Sequence, residues 1–352
     1  MHPIEDLTVE ESCDGKELTE LLTHLGGLSE LNIMGCQNIT QLAVGETTSA
    51  VAIEVEREKE EDGLLLFPTH ISYLLLEFVI LGCPDLVLVD RPARGGGLQS
   101  LWCLRKLKIL DCPKILSAKS SFLSPSCCLF PSSLQVLFLR GVEGMGTLEP
   151  LSNLTSLTQL ELKDCGEDLR CRGLGPLLTA GGQLRQLKVT GSPGFFAGWD
   201  PRRVLQDEGG EELVFPPSSS KLQELSTDET MGLLTAPICS FLYSSLCELQ
   251  LIGGRPEIEG FTKEQEDALH LLTSLQNLKL WFLRKIQSLP TGLHKLTNLK
   301  SLEVLVCPAV HSLPKDGLPK SLRKLDVSKC GNEELKQQCR GLLGTIPEVF
   351  LD

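Results

Sequence analysis

Apolar positions along this chain fall into a recurring phrase, Leu-x-x-Leu-x-Leu-x-x-Cys, rather than one continuous amphipathic period. The phrase is complete at Leu104, Leu107, Ile109 and Cys112, at Leu157, Leu160, Leu162 and Cys165, and at Leu299, Leu302, Val304 and Cys307. Alternating apolar residues predict a short strand with one buried face, and the Cys marks the turn that follows. Looser copies begin at Ile4, Leu28, Leu75, Leu134, Leu184, Leu222, Leu246, Leu275 and Leu322, which brings the array to about twelve units.

Strands recurring every 23 to 30 residues or so predict a leucine-rich-repeat solenoid. The expected class is α/β: a curved solenoid with a parallel sheet on the concave face, and short helices and irregular turns on the convex face. Each unit touches only its neighbours, so residues 1–352 are expected to form a single elongated domain. Two stretches overrun the repeat spacing, 37–70 and 194–221, and are expected to be loop-like insertions. The first has room for one degenerate repeat around Ile39, Leu42 and Val44, and the second carries Pro216-Pro217-Ser218-Ser219-Ser220. Thr262-Lys-Glu-Gln265 reads as a capping box opening a helix that buries Ala268, Leu269 and Leu272. Asn332 is placed to cap a last helix over 333–342 that presents Leu335, Cys339 and Leu342, making 332–352 a C-terminal cap. Gly344-Thr-Ile-Pro347 then falls beyond the last strand. No comparable cap opens the chain, which reads as the C-terminal part of something longer or as a truncated gene product.

Composition narrows the function classes. The net charge is −13, and a nucleic-acid partner would require a basic face to neutralise phosphates, so none is expected. The acidic runs 54–62 and 207–212 read as solvated loops. Six of the fourteen Cys, at 36, 83, 112, 165, 307 and 330, share one repeat phase, which makes them a stacked ladder rather than designed pairs. At that turn a thiol can satisfy buried backbone groups. No Cys-x-x-Cys occurs, so zinc is not expected, and unpaired thiols in this number point to a reducing, cytoplasmic setting. Met1-His-Pro-Ile-Glu-Asp6 lacks the features of a secretory signal. The most apolar stretch, 64–81, is broken by Pro68, His70 and Glu77, so no membrane span is expected.

Ile286-Gln-Ser-Leu-Pro290, followed by Gly292-Leu-His-Lys-Leu-Thr-Asn-Leu-Lys-Ser-Leu-Glu-Val304, resembles the repeat of plant intracellular NLR immune receptors. These are coiled-coil, nucleotide-binding, leucine-rich-repeat disease resistance proteins. Val310-His-Ser-Leu-Pro314 and Leu322-Arg-Lys-Leu-Asp-Val327 repeat the form, and Glu333-Glu-Leu-Lys-Gln-Gln-Cys-Arg340 is similar to the ending of the cereal type. The resemblance spans the chain but only the leucine-rich-repeat region of that architecture. It implies a module that senses a pathogen effector or modified host protein and restrains a nucleotide-binding domain, in cis or in trans. No Gly-x-x-x-x-Gly-Lys-[Ser/Thr] phosphate loop occurs, so the family's switch is absent from this chain.

The chain is expected to be non-enzymatic, with no cofactor, because no catalytic, metal or dinucleotide motif occurs and its six His lie in different repeats. Binding chemistry is expected on the concave face, where residues alternating with core Leu point outward. Ile252, Trp281 and Leu305, from three consecutive repeats, form one apolar group there, with Lys279 and Glu303 beside them. Val79, Leu81, Leu110 and Phe138 form a second, next to Arg140 and Lys163. Contiguous outward apolar residues mark an interaction surface, and Trp is a favoured anchor; the alternative is an insertion folded over one group. Two other functions stay open: a substrate-recruiting adaptor for ubiquitin ligation, and a secreted leucine-rich-repeat inhibitor or ectodomain.

Overall fold

The computed structural model describes residues 4–11, 13–44, 63–88, 98–116, 129–179, 181–201 and 220–351. The acidic runs 54–62 and 207–212, together with Cys127, Cys128 and 216–219, lie outside the described residues. The chain divides into two compact units, Met1–Leu177 and Leu178–Asp352.

In the first unit, six parallel strands pair in this order: β1 (Asp6–Glu10), β2 (Glu30–Met34), β5 (Glu77–Leu81), β7 (Lys106–Leu110), β8 (Val136–Arg140) and β9 (Gln159–Lys163). The register aligns equivalent repeat positions, so Leu31 faces Phe78, Phe78 faces Leu107 and Leu107 faces Leu137. Each of these is fully buried.

The 37–70 stretch departs from its loop-like expectation. β3 (Gln41–Val44) and β4 (Leu64–Phe67) pair in parallel and, with β6 (Val87–Leu88), make a separate three-stranded sheet. Ile39, Leu42 and Val44 are buried there, outside the main sheet: β3 pairs with β4, and α1 (Gly15–Thr23) packs on β4. Asp14 caps α1, its carboxylate accepting from the Glu17 amide at 2.7 Å, and the Thr19 hydroxyl accepts from the Leu66 amide at 2.9 Å. The helix lies so close to β4 that a Cβ on Gly15 would overlap the Leu64 carbonyl.

The second unit repeats the plan with β10 (Gln186–Thr190), β11 (Glu224–Thr227), β12 (Glu248–Ile252), β13 (Asn277–Trp281), β14 (Ser301–Leu305), β15 (Lys324–Asp326) and β16 (Glu348–Phe350), all parallel and in register. Short helices connect them. α2 (Leu174–Leu178) ends where this unit begins, and α3 (Thr230–Leu233), α4 (Ala236–Leu242) and α5 (Lys263–His270) follow within it. Thr262 and Gln265 form the full reciprocal capping box at α5, and Ala268, Leu269 and Leu272 are buried beneath it.

Within 194–221, the turn residues Phe195 and Phe196 enter the core and pack edge to face with centroids 4.8 Å apart, so this portion is anchored rather than loop-like. Asn332 caps α6 (Glu333–Arg340), which buries Leu335 and Cys339 and leaves Leu342 half-buried. Gly344-Thr-Ile-Pro347 is not beyond the last strand. It leads into β16, where Ile346, Val349 and Leu351 reproduce the repeat's apolar spacing and Val349 faces Leu325.

Two backbone devices join each repeat to the next. The carbonyl ahead of a strand accepts two amides from the following repeat, as its two lone pairs allow. Leu76 O takes the amides of Arg105 and Lys106 at 2.8 and 3.0 Å, and Cys247 O takes those of Gln276 and Asn277 at 2.8 and 2.9 Å. At the other end, the residue after the strand turns into the left-handed region. Its amide donates to the next strand, as Asp111 (φ 55°) does to Arg140 O at 2.7 Å.

The phase-sharing cysteines sit just behind this turn. Cys307 Sγ lies 3.4 Å from both Leu280 O and Leu305 O, Cys165 Sγ lies 3.5 Å from Leu139 O and Lys163 O, and Cys330 Sγ lies 3.1 Å from Val304 O. Burial pushes the Cys165 thiol up to about 11 and Cys307 to about 12, which keeps both protonated as donors.

Two outcomes follow from this packing. Leu302→Ala, at a position of zero exposure, should cost roughly 2–5 kcal/mol in urea unfolding. Raised thiol pKa values make the folded state bind protons more tightly, so stability is complete below the ordinary thiol value of 9.0 and falls as pH rises towards about 12. A urea midpoint that declines through this range, and declines less in Cys165→Ala/Cys307→Ala, supports the ladder; a flat profile in the wild-type chain contradicts it.

Candidate functional site

Because side chains alternate along each strand, the five-residue strands β10, β12, β13 and β14 each present three residues on the sheet face opposite the core. Across β12, β13 and β14 the last of these are Ile252, Trp281 and Leu305, and the register sets Ile252 against Trp281 and Trp281 against Leu305. All three are half-buried. The predicted apolar group is thus brought together by strand pairing.

The charged residues beside it are already paired. Lys279 Nζ lies 2.5 Å from Glu248 Oε1 and 5.8 Å from the Trp281 ring centroid, so one ammonium serves a carboxylate and an aromatic face. Glu303 Oε1 accepts from Lys324 Nζ at 2.7 Å, and that contact raises the lysine's pKa above its ordinary value. Glu248 and Lys324 belong to the first outward column of each strand, which sequence reasoning passed over in favour of the second and third. The alternation that located Lys279 and Glu303 also marks them. The Trp281 indole N–H is buried and has no acceptor among the described residues, a situation that costs about 1–3 kcal/mol.

Sequence reasoning also missed the turn column. The residue after each strand lies in the left-handed region in most repeats, and Gly35, Gly82, Gly141 and Gly191 fill it at no steric cost. Asp111 and Asp164 are tolerated there. In two successive repeats the occupants are instead Phe282 (φ 60°) and Val306 (φ 56°), an aromatic and a β-branched residue. Phe282 is 47% exposed, so core packing does not account for its presence. Its amide donates to Leu305 O at 2.9 Å, and a Cβ on Gly253 would overlap the Phe282 carbonyl, so the backbone has no room to relax. The signal was in the sequence: these positions hold Phe and Val where sister repeats hold Gly, Asp, Glu or Lys.

On the first unit, Leu81 and Leu110 are direct neighbours, and Met34 adjoins Leu81 on the other side. Val79 and Phe138 are separated by Lys108, with Phe138 reaching Leu110 only on the diagonal. Arg140 is held by Asp111, Nη2 to Oδ2 at 2.5 Å, and that contact raises its pKa further. Lys163 faces Arg140 and is exposed. Among the described residues no group of three or more His, Cys, Asp or Glu is placed to hold a metal, and no helix is long and apolar enough to cross a membrane.

No protein-family model matches the chain, and no curated protein matches it significantly. Among solved structures it is similar to TLR13 in complex with ssRNA13, at 18% identity and a TM-score of 0.47, over 92% of this chain and 46% of that one. It thus spans less than half of the TLR13 chain. It is also similar to the leucine-rich-repeat domain of the type III effector XopL (18% identity, TM-score 0.40, 77% of this chain and 74% of that one). A third likeness is to an internalin, InlF, from Listeria monocytogenes (13% identity, TM-score 0.36, 98% and 86%). These are likenesses of fold. In its own strand register the chain is a leucine-rich-repeat solenoid, a fold whose open sheet face serves protein interaction.

A left-handed conformation costs a non-glycine residue about 1–2 kcal/mol, and glycine's larger unfolded-state entropy returns part of that. Phe282→Gly and Val306→Gly should therefore each stabilise the fold by about 0.5–1 kcal/mol in chemical denaturation. A loss of stability in both would show that these side chains are structural after all.

Proposed function

We propose that this chain is the non-enzymatic, cytoplasmic protein-recognition module of a plant innate immune receptor of the coiled-coil NLR kind. Its outward sheet face senses a pathogen effector or a modified host protein. In the same reading it restrains a nucleotide-binding switch carried in cis or in trans. No cofactor is needed, since recognition rests on shape and side-chain contact.

The observation that carries the binding role is the adjacency of Ile252, Trp281 and Leu305, all partly exposed, across three paired strands. A tryptophan flanked by aliphatic neighbours, with its surrounding charges already neutralised, has the make-up of an interface hot spot. The Met34, Leu81 and Leu110 row on the first unit supplies a second contact region. Support for the immune setting comes from the NLR-like segments around Ile286-Gln-Ser-Leu-Pro290 and Val310-His-Ser-Leu-Pro314.

Affinity capture from plant tissue expressing the tagged chain, read by quantitative mass spectrometry, tests the site. Trp281→Ala/Leu305→Ala should lower recovery of specific partners by about ten-fold or more, the loss expected of a hot-spot anchor. The circular-dichroism spectrum and melting curve should overlay those of the wild type. Unchanged recovery with the double variant removes the site.

A further inference from the structure

Resting on the recognition role assigned to the Trp281 face, the turn column and its rim identify the chemistry of the partner. In consecutive repeats the column runs Gly253, Phe282, Val306, Lys329, in the register that pairs Ile252, Trp281 and Leu305. Phe282 and Val306 thus continue the apolar row around the edge of the sheet. Both hold backbone conformations that their side chains disfavour, and neither can relax without breaking the ladder. Strain retained at a position where glycine serves elsewhere in the same molecule points to a task for the side chain. Beside them, in the same row, Trp281 keeps an indole N–H without an acceptor.

The charge around this strip is one-sided. Arg284, two residues beyond Phe282, and Lys329, next in the column after Val306, are both exposed, and neither has an ion pair or side-chain hydrogen bond among the described residues. Nearby acids are engaged: Glu303 by Lys324, Glu248 by Lys279, Glu257 by Lys285, and Asp326 by the Ser328 amide and hydroxyl. In a chain of net charge −13, two free cations bracketing an apolar strip set a local preference against the global field. Two cations are too few to neutralise a phosphate backbone, whereas they suit carboxylates, and the guanidinium can grip one in bidentate fashion.

We infer that the strip formed by Trp281, Phe282, Leu305 and Val306 docks an acidic polypeptide segment. Aromatic or aliphatic side chains of that segment lie on the strip, and its Asp or Glu residues reach Arg284 and Lys329.

A phage-displayed random dodecapeptide library, selected on the immobilised full chain, tests this directly. Enriched peptides should carry one or two aromatic or aliphatic anchors flanked by Asp or Glu. The best of them, made synthetically, should bind about ten-fold more weakly to Phe282→Gly/Val306→Gly. Those substitutions relieve backbone strain, so a melting temperature equal to or above the wild type's separates lost contact from lost fold. Arg284→Glu/Lys329→Glu should weaken binding of the acidic peptide at least as much and turn the selection towards Lys- and Arg-bearing sequences. Failure to enrich any sequence above a blank surface overturns the proposal, as does enrichment of peptides without acidic residues. If Trp281→Ala/Leu305→Ala abolishes binding while both other pairs leave it intact, the face is a binding site and the acidic-segment assignment is wrong. If none of the three pairs alters binding, both readings fall.

Discussion

One constraint governs this molecule: at the end of each strand the chain must leave the sheet sharply while still handing its amide to the next repeat. The left-handed residue achieves this in repeat after repeat, as at Gly82, whose amide donates to Leu110 O at 2.9 Å, and at Gly141, whose amide donates to Lys163 O at 2.9 Å. The parallel ladder therefore extends one step beyond the strand before the chain turns towards the core. Behind the turn the ladder thiols add a second donor to strand-end carbonyls: Cys165 to Lys163 O and Cys307 to Leu305 O, which already accept the Gly141 and Phe282 amides. Sequence phrase, strand register and cysteine phase are three views of this turn.

The same constraint gives the candidate site its character. A position built for glycine tolerates Asp at modest cost and resists Phe and Val. Phe282 and Val306 therefore stand out for energetic reasons, and they stand beside the one tryptophan on this face whose indole N–H lacks an acceptor. Repeats elsewhere in the sheet meet the turn mostly with Gly or Asp, and with the unbranched Glu11 and Lys329 in two cases. The strip proposed for the second unit is where local stability has been yielded, and yielded in side chains that face outward rather than in the core. Leu278, Leu280, Leu302 and Val304, directly behind it, are as well buried as any residues in the molecule.

Much of the fold was legible because the repeat fixes both strand position and facing. The phrase located the strands from Asp6–Glu10 to Lys324–Asp326 and the adjacency of Ile252, Trp281 and Leu305. Thr262 and Asn332 disclosed their helices through side chains that accept from backbone amides two or three residues into the helix. What escaped detection had a physical reason in each case. β3 and β4 pair away from the main sheet: Ile39, Leu42 and Val44 keep the repeat's spacing, but a spacing along the chain does not tell which sheet the strand joins. β16 is three residues long and follows a proline, which weakens its signal as a strand. The pairing of Lys279 with Glu248 and of Glu303 with Lys324 depends on which strands are neighbours, and one-column reading along the sequence does not reveal it. Phe282 was hidden because period-two alternation ends at Trp281, while its importance lies in backbone conformation.

The central claim, that a strand-ending left-handed turn locks each repeat to the next and holds Phe282 in place, predicts a specific pattern of amide hydrogen exchange. Measured by NMR at residue resolution, the amides of Asp111, Gly141 and Phe282 should be protected to the same degree as those inside β7, β8 and β13, although these residues lie at or near the surface. Exchange of these three amides at the rate of open loops, with the strand amides still protected, would contradict the account.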